Sequence, residues 1–470
     1  MSDLELAAAA TDLSKPSKAY QRLDEYRHAY DRGTGNINGH PSYTVDEAAA
    51  QINRYGYHYT DTNGNGTVAL TYSFTEREPS DFDSSLGDFI AFNAQQRAQA
   101  KLAMQSWADV ANVTFTQAAS GGEGHLSLAS YSTSYGEAAF AYYPTGGSRD
   151  GQSWYWVSDS YQYNAKAAVN TYGGQTLVHE IGHSLGLAHP GDYDAWNGVL
   201  GYEDDAAYAE DSRAYSVMSY WDEYNTGQDF NNAYASAPLM DDIAAMQLLY
   251  GANEDTRSGG TVYGFHSSSH RAESTATSSS STLIFSVWDG GGIDTLDFSG
   301  YTMNQKIDLH DTSFSDVGGL IGNVSIAQGV TLEKAFGGKG NDYLIGNEVA
   351  NELKGNAGND LIAGEGGADK LWGGAGDDSF VFFKVSDSTA AAADRLMDFV
   401  SGHDRIDLSG LPTDGSDTIH FTKTLDGTAG AAVLRDASYG TNLSIDFNGD
   451  HSADFVIKIL GEAHTSDFLV

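Results

Sequence analysis

Three histidines and one glutamate stand within the twelve-residue stretch HEIGHSLGLAHP, which begins at His179. On a helix, His179 and His183 lie one turn apart on the same face, where their imidazole nitrogens can reach one metal ion. Glu180 projects beside that ion, where its carboxylate can hydrogen-bond a water molecule. Gly186 can adopt the left-handed conformation that ends the helix, so His189 can return as a third ligand. The spacing therefore predicts a three-histidine metal site.

The predicted chemistry of this site is hydrolysis. Three neutral imidazoles and one open coordination position describe a catalytic zinc site rather than a closed structural one. Zinc activates water and polarises a carbonyl, while Glu180 takes the proton of the water and passes it to a departing amine. The alternative is a helix with ordinary core or surface histidines, which the combined spacing disfavours. For other histidines, such as His125 and His420, packing is the better interpretation.

The segments that must position this cluster follow an α+β pattern. Residues 18–30 have the apolar spacing of a surface helix, and residues 92–111 give a stronger helical signal. Another helix is predicted over LMDDIAAMQLLY and ends at Gly251, a good capping residue. The runs VTFTQ, HLSLAS and EAAFAYYP, which precede the histidines, are predicted strands.

Beyond a boundary near residue 255, helices disappear and glycine and aspartate recur. From Gly337 the chain reads as five consecutive nine-residue units, GGKGNDYLI GNEVANELK GNAGNDLIA GEGGADKLW GGAGDDSFV. The sixth position is acidic or amidic, and the eighth is apolar. This pattern predicts a parallel β-roll whose turns bind Ca²⁺ and whose apolar positions fill the core. An isolated copy, DGGGIDTLD, begins at Asp289.

The calcium ligands predicted in the repeats are aspartate side chains and turn carbonyls. They are Gly338, Gly340, Asp342, Gly355, Ala357, Asp360, Gly364, Gly366, Asp369, Gly373, Ala375 and Asp378. Without calcium the clustered carboxylates repel, and we expect the roll to unfold. A flexible glycine-rich linker is the alternative, but linkers do not keep an apolar residue in phase over five units.

The composition excludes several classes of partner. The formal net charge of -39 argues against nucleic acid and against insertion into an anionic membrane. With no cysteine in the chain, zinc must be held by histidine, carboxylate or tyrosine. The N-terminus lacks the pattern of a secretory signal, and no stretch is apolar enough to span a bilayer. Only 7 prolines in 470 residues lead to a hypothesis of cold adaptation.

The chain resembles a known family. HEIGHSLGLAHP, the later SVMSY at residues 216–220 and the nonapeptide repeats together are similar to the serralysins, secreted bacterial zinc proteases of the metzincin clan. The resemblance implies an α+β metzincin-like zinc protease domain followed by a calcium-binding parallel β-roll or β-sandwich domain. It places a short propeptide at residues 1–18, the protease domain at residues 19–255 and the calcium domain with a C-terminal secretion signal at residues 256–470.

The same resemblance implies further site residues. Met218 would form the apolar floor beneath the zinc, a role compatible with simple core packing. Tyr220 would be an additional zinc ligand that swings away and stabilises the oxyanion, with plain packing as the alternative. The substrate would lie antiparallel to an edge strand at residues 138–143, unless that strand is interior. Backbone pairing of this kind predicts broad specificity.

Calcium ligands outside the consecutive repeats also follow from the resemblance. One ion would be held by Arg257, Gly259, Thr261, Asp289, Gly291 and Asp294. The family usually has an acid where this chain has Gly260, so this site would be weaker here. Thr331 and Glu333 would serve a neighbouring ion.

The last residues, TSDFLV, resemble the C-terminal signal of type I secretion substrates, although an ordinary final strand is the alternative. The resemblance implies a monomeric extracellular enzyme. Its partners would be protein and peptide substrates, the type I secretion apparatus and a small protein inhibitor. The competing function is a calcium-dependent adhesin or toxin with a vestigial zinc site. Retention of Glu180 beside all three histidines disfavours that function and also a simple zinc carrier.

Overall fold

The computed structural model describes residues 16–134, 136–194, 201–411 and 418–470, so almost all of the expected propeptide lies outside the described residues. The chain forms two compact units. The mixed unit comprises Asp31–Asp294 and Asp311–Thr331, and the roll unit comprises Met1–Tyr30, Thr295–His310 and Leu332–Val470. This grouping follows packing rather than chain order, and the domain boundaries expected at residues 18 and 255 remain predictions.

The described helices include the segments predicted from apolar spacing. They are α1 (Lys18–Arg27), α2 (Val45–Ile52), α3 (Ala94–Val110), α4 (Tyr172–Leu185), α5 (Tyr202–Asp205) and α6 (Met240–Tyr250). Helix α6 ends at Gly251, as predicted. None of the helices in the described ranges is long and apolar enough to cross a membrane.

The strands are short and numerous. Those before residue 300 are β1 (Asn36–Ile37), β2 (His40–Pro41), β3 (Val68–Phe74), β4 (Asp88–Ile90), β5 (Val113–Gln117), β6 (Gly124–Ser132), β7 (Ala139–Ala141), β8 (Gln152–Trp156), β9 (Val262–Gly264), β10 (Phe285–Val287) and β11 (Thr295–Asp297). The later strands are β12 (Lys306–Asp308), β13 (Phe314–Ser315), β14 (Val324–Ile326), β15 (Lys334–Phe336), β16 (Tyr343–Ile345), β17 (Glu352–Ala357), β18 (Leu361–Ala363), β19 (Lys370–Ala375), β20 (Ser379–Val381), β21 (Asp394–Leu396), β22 (Arg405–Asp407), β23 (His420–Phe421), β24 (Ala431–Ala437), β25 (Gly440–Asp446), β26 (Phe455–Ile459) and β27 (Phe468–Leu469).

The main sheet of the mixed unit has the order β5-β3-β6-β8-β7. Strand β3 reads VALTYSF, and its alternate residues are buried, which is the pattern of a strand with one face on a core. Helices α3 and α4 pack together, and the indole of Trp107 on α3 donates to the Val178 carbonyl of α4 at 3.1 Å. Strand β7 pairs antiparallel with β8 and ends the sheet order, so the strand expected over residues 138–143 lies at an edge.

The roll unit is built from the nonapeptide repeats. Strands β15, β17 and β19 form one parallel ladder, and β16, β18 and β20 form another. Leu344 pairs with Ile362, two repeat units further on, so consecutive units alternate between the two sheets. The residues at the eighth repeat position are each 0% exposed: Leu344, Leu353, Ile362, Leu371 and Phe380. The predicted parallel β-roll is therefore confirmed.

Helix α1 belongs to the roll unit. Its apolar residues Leu23 and Tyr26 are buried in one cluster with Ile345, Val381 and other residues of the roll. The helix starts after Ser17, whose hydroxyl accepts the N–H of Tyr20 at 3.0 Å. The segment expected to form a surface helix thus contributes its apolar stripe to the core of the roll unit.

Candidate metal centre

Helix α4 carries the first two histidines and ends before Gly186, at a position that strongly favours glycine. The Thr171 hydroxyl caps its start by accepting the N–H of Gly174 at 3.2 Å. Gly186 follows the last helical residue with φ of +113°. A Cβ added at Gly186 would lie 1.9 Å from the backbone oxygen of Tyr57. The turn predicted at this position is confirmed, and it directs the chain back towards the helix.

The three histidines converge on one point. The Nε2 atoms of His183 and His189 are 3.0 Å apart, and those of His189 and His179 are 3.2 Å apart. The three residues form a group whose geometry could hold a metal ion. The structure therefore brings together the three ligands that the sequence predicted.

Hydrogen bonds fix which nitrogen of each ring faces the centre. Each Nδ1 atom lies against a backbone carbonyl: His179 on Val217 at 2.8 Å, His183 on Leu187 at 2.7 Å and His189 on Tyr193 at 2.9 Å. Because a carbonyl can only accept, each Nδ1 carries the hydrogen, and each neutral ring leaves a lone pair on Nε2.

Three lone pairs that face one another repel unless a cation lies between them. Protons do not fill this role, because burial lowers the pKa of His179 to about 4 and that of His189 to about 3. Three neutral imidazoles, each oriented by a second hydrogen bond, are the ligand set of catalytic zinc sites. The residues present therefore fit a zinc ion.

Glu180 is positioned beside the histidines with an unused oxygen. The residue is 5% exposed, and its buried Oε2 atom has no hydrogen-bond partner among the described residues. Burial, reinforced by nearby Glu137, raises the pKa of Glu180 well above its ordinary value. A buried carboxylate oxygen without a partner is costly, so Oε2 is available to accept a hydrogen bond from a water molecule or a substrate.

The segment after the third histidine forms the floor and one wall of the site. Met218 is fully buried, and a Cβ added at Gly182 of α4 would lie 2.7 Å from its sulfur. The methionine thus packs directly beneath the histidine helix. Tyr220 is 37% exposed, and its ring centroid lies 4.4 Å from that of His189. The structure thus places Met218 under the histidine helix and the Tyr220 ring beside His189, while zinc ligation by Tyr220 stays a prediction.

Sequence reasoning missed a buried carboxylate that holds this segment. Asp242 on α6 is fully buried and accepts the Ser216 hydroxyl at 2.6 Å and the Val217 N–H at 2.8 Å. The Val217 carbonyl in turn accepts from His179. The acidic pair in LMDDIAAM, within an otherwise apolar helix, was the available signal, because a charge in an apolar stretch requires partners.

Open space lies on both sides of Glu180. A cavity of ≈ 280 Å³ is lined by Gln175, Arg213 and other residues, and a second cavity of ≈ 590 Å³ extends past His189. Ala139, Glu180 and Tyr220 line both cavities. Ala139 belongs to the edge strand β7, so this edge of the sheet borders the same open space as Glu180 and Tyr220.

The roll unit contains a second group of candidate ligands. Each repeat aspartate uses one oxygen to accept a backbone N–H from an earlier turn, as Asp360 does for Asp342 at 2.7 Å. In four aspartates of this part of the chain, the other oxygen is buried and has no hydrogen-bond partner among the described residues. These are Asp360, Asp369 and Asp378 of the predicted ligands, together with Asp394, which the repeat pattern did not predict as a ligand. Orphaned carboxylate oxygens in a row fit hard cations such as Ca²⁺.

Electrostatics and sterics support the same interpretation. Burial raises the pKa of Asp360 to about 8 and that of Asp369 to about 9, so ionised carboxylates at these positions need a nearby cation. A Cβ added at Gly355, Gly364 or Gly373 would lie 2.1 to 2.2 Å from the Oδ2 atom of the aspartate in the same unit. The first position of the repeat requires glycine, because the aspartate side chain occupies the space that a Cβ atom would need.

The predicted carbonyl ligands are less uniform. The Gly338 carbonyl accepts the N–H of Ala357 at 3.3 Å, and the Ala375 carbonyl accepts the N–H of Gly358 at 2.9 Å. Each carbonyl retains a second lone pair. Asp342 is fully buried, and its two oxygens accept the N–H groups of Gln305 and Gly338. The remaining predicted turn residues, Gly340 and Gly366, lie in repeat turns of the same unit.

The third predicted group lies in the mixed unit. Asp294 accepts the N–H of Thr261 at 2.6 Å, and the Thr261 hydroxyl donates to the Gly259 carbonyl at 3.0 Å. Asp289 accepts the N–H of Gly291 at 2.9 Å. Arg257, the sixth member, has φ of +51°. Of the other predicted pair, Thr331 is exposed, and the Glu333 carbonyl accepts the N–H of Glu352 at 2.8 Å.

Comparison with known proteins identifies the family. The family model described as Peptidase M10 serralysin C terminal matches residues 252–470, and the model described as Matrixin matches residues 67–197. Metalloprotease AprA of Pseudomonas entomophila (strain L48) is 59% identical over 478 residues, covering 99% of this chain and 98% of that protein. Serralysin C of Dickeya chrysanthemi is 50% identical over 475 residues, with 98% of each chain covered. With these similarities added to its histidine centre and its β-roll, the chain belongs to the serralysin family of zinc metalloendopeptidases.

Proposed function

We propose that this protease cleaves internal peptide bonds of proteins with broad specificity, using His179, His183 and His189 as zinc ligands and Glu180 as the general base. The observation that carries the proposal is the convergence of three Nε2 lone pairs beside a buried carboxylate with a free oxygen. When bound, zinc supplies Lewis-acid activation of the water and of the scissile carbonyl.

The residues of the chain supply the remaining steps. An extended substrate pairs with the free edge of β7 by backbone hydrogen bonds, which explains a weak dependence on side chains. The free oxygen of Glu180 accepts the proton of the attacking water and delivers it to the leaving amine nitrogen. Tyr220, whose pKa is raised by burial, stays protonated and donates its hydroxyl to the oxyanion. Before the substrate binds, Tyr220 would be a further residue that holds the zinc, a role that rests on the family resemblance.

Product analysis tests this function. The full chain in calcium is incubated with casein, and the products are sequenced by mass spectrometry beside those of Glu180→Gln. We expect internal fragments with varied residues at both sides of the cut, and none from the variant. Stepwise removal of terminal residues would contradict endopeptidase action, and cleavage confined to one residue type would contradict broad specificity.

The roll unit is proposed to bind structural Ca²⁺ through the aspartates and turn carbonyls described above. Orphaned buried oxygens on Asp360, Asp369 and Asp378 support this assignment. The ions assigned to Arg257 and its partners and to Thr331 and Glu333 rest on the family resemblance. The division into a propeptide at 1–18, a protease domain at 19–255 and a calcium domain at 256–470 is proposed on the same ground.

Export is proposed to follow the type I route to the extracellular medium. Asp467 is 1% exposed and accepts from the Ser401 hydroxyl at 2.7 Å, and β27 pairs with β22. The C-terminal residues are thus part of the folded roll, which is compatible with a signal that is recognised before folding. A small protein inhibitor and a monomeric state remain predictions. The adhesin or toxin alternative has no supporting feature that outweighs the intact zinc centre.

A further inference from the structure

Another buried carboxylate, Asp211, lies near the metal centre and has no role in the proposed chemistry. Asp211 is 0% exposed. Its Oδ1 atom accepts the Tyr193 hydroxyl at 2.8 Å and the Ser219 hydroxyl at 2.7 Å. Its Oδ2 atom accepts the Trp221 indole N–H at 3.2 Å and the Ala207 N–H at 3.4 Å. All four partners are donors, so the site requires an ionised or strongly accepting group.

Two of these donors flank Tyr220 in the chain. Ser219 and Trp221 both direct their side chains to Asp211, which fixes the backbone on either side of Tyr220 and leaves its ring to face the cleft. The third donor, Tyr193, stacks on His189 with ring centroids 5.5 Å apart and lies 5.2 Å from the Tyr220 ring. The Tyr193 carbonyl also accepts from His189. One carboxylate therefore links both neighbours of Tyr220 to the loop that holds the third histidine.

We propose that Asp211 is a positioning residue that holds the Tyr220 hydroxyl at the oxyanion position. This inference rests on the proposed role of Tyr220 in the reaction. Asp211 acts through Ser219 and Trp221, and it lines neither cavity beside Glu180. Its loss therefore affects the transition state, where the Tyr220 hydrogen bond forms, more than it affects substrate binding.

The conservative variant keeps the shape of the side chain. In Asp211→Asn the amide nitrogen must face either the hydroxyls of Tyr193 and Ser219 or the N–H groups of Trp221 and Ala207. If the amide nitrogen faces Trp221 and Ala207, their N–H groups lose their acceptor. If it faces Tyr193 and Ser219, the two hydroxyls must accept from the amide, and their own hydrogens lose the Asp211 acceptor. The segment from Ser219 to Trp221 is then held less firmly. A displacement of Tyr220 by about 1 Å lowers turnover by up to about a hundredfold.

A double-mutant cycle tests the proposal. We compare the kcat and KM of wild type, Asp211→Asn, Tyr220→Phe and the double variant on a quenched fluorescent peptide, with zinc content and unfolding measured for each. Each single variant is expected to lower kcat by about tenfold to a hundredfold with KM nearly unchanged. The double variant is expected to match Tyr220→Phe within about twofold, because Asp211 acts through that residue.

The cycle separates the possible failures. Multiplied effects in the double variant would overturn the proposal, and so would an unchanged kcat in folded, zinc-loaded Asp211→Asn while Tyr220→Phe is impaired. An unchanged kcat in Tyr220→Phe would instead remove the role of Tyr220 itself. Should Asp211→Asn not fold, the combined variant Ser219→Ala with Trp221→Phe removes the two flanking donors. Its kcat is expected to fall without further loss in the Tyr220→Phe background, and full activity would overturn the proposal.

Discussion

The convergence of the three imidazoles depends on Gly186 as much as on the histidines. A side chain at this position meets two penalties, the left-handed φ of +113° and the contact with the Tyr57 oxygen. We predict that Gly186→Ala lowers the free energy of unfolding by more than about 2 kcal/mol, because the left-handed conformation alone costs about 1–2 kcal/mol. The shift of His189 should also weaken zinc binding.

Gly227→Ala is the matched control for this prediction. Gly227 has φ of +93° but no atom within 4 Å of an added Cβ. Chemical denaturation in calcium measures both variants, and competition with a chelator measures zinc affinity. An equal loss of stability in the two variants would contradict the steric argument, and an unchanged zinc affinity in Gly186→Ala would contradict the link to His189.

At the scale of elements, α6 supports the zinc site through the turn that contains Met218. Asp242 holds Ser216 and Val217, and Val217 orients His179. We predict that Asp242→Asn lowers zinc affinity by about tenfold to a hundredfold, the usual effect of losing an outer hydrogen bond around a metal. Zinc competition with a fluorescent chelator measures the change.

The neighbouring Asp241 provides a control on the same helix turn. Its carboxylate pairs with the Arg32 guanidinium at 2.7 Å, whereas the carboxylate of Asp242 binds the turn that contains Met218. Asp241→Asn should destabilise the protein, because it leaves a buried charge unpaired, but zinc affinity of the folded fraction should stay near that of wild type. Equal losses of zinc affinity in both variants would mean that the effect is general destabilisation.

Helix α1 contacts the rest of the roll unit through an ion pair between Arg27 and Glu365, and Glu365 also pairs with the titratable residue His310. Arg27 contacts the buried Glu365 at 3.1 Å, and Lys384 lies 3.9 Å from the same carboxylate. His310 lies between Glu365 and Asp308. Burial favours the neutral imidazole, but the hydrogen bonds to Asp308 and Glu365 outweigh burial and raise the pKa of His310 to about 10.

The raised pKa predicts how stability depends on pH. His310 binds its proton more tightly in the folded state, so its contribution is complete below its ordinary pKa of about 6.5 and is lost as the pH rises through about 10. The free energy of unfolding of His310→Gln should therefore fall less between pH 7 and pH 10 than that of wild type. Denaturation at constant calcium measures this, with the surface variant His403→Gln as control. Parallel pH profiles for wild type and His310→Gln would contradict the assignment.

At the scale of the whole molecule, the roll carries buried carboxylate oxygens that have no hydrogen-bond partner among the described residues and that a bound cation would satisfy. Asp378 is 1% exposed with one orphaned oxygen, whereas the side chain of its neighbour Asp377 is 63% exposed. We predict that Asp378→Asn raises the calcium concentration needed for folding, while Asp377→Asn does not. Calcium titration followed by circular dichroism measures both. Equal midpoints for the two variants would contradict calcium binding by the sixth repeat position.

Patterns with a fixed period or spacing could be predicted from the sequence, and contacts between distant segments could not. The nonapeptide period predicts the roll and its core, and the histidine spacing with Gly186 predicts that three histidines converge, because both patterns depend on residues close together in the sequence. The carboxylates of Asp211 and Asp242 are different, since a buried charge requires partners but the sequence does not show which residues they are. The packing of α1 in the roll unit likewise could not be predicted, because the sequence of an amphipathic helix does not specify which surface the helix covers.

The proposed function depends on proton transfer by Glu180 at a zinc centre that Glu180 does not itself hold together. Casein hydrolysis by the wild type and by Glu180→Ala, both folded in calcium and with zinc quantified, tests this most directly. We expect activity in the wild type alone, with one zinc ion retained in each protein. Comparable activity in the variant, or no activity in either protein despite full zinc occupancy, would contradict the account.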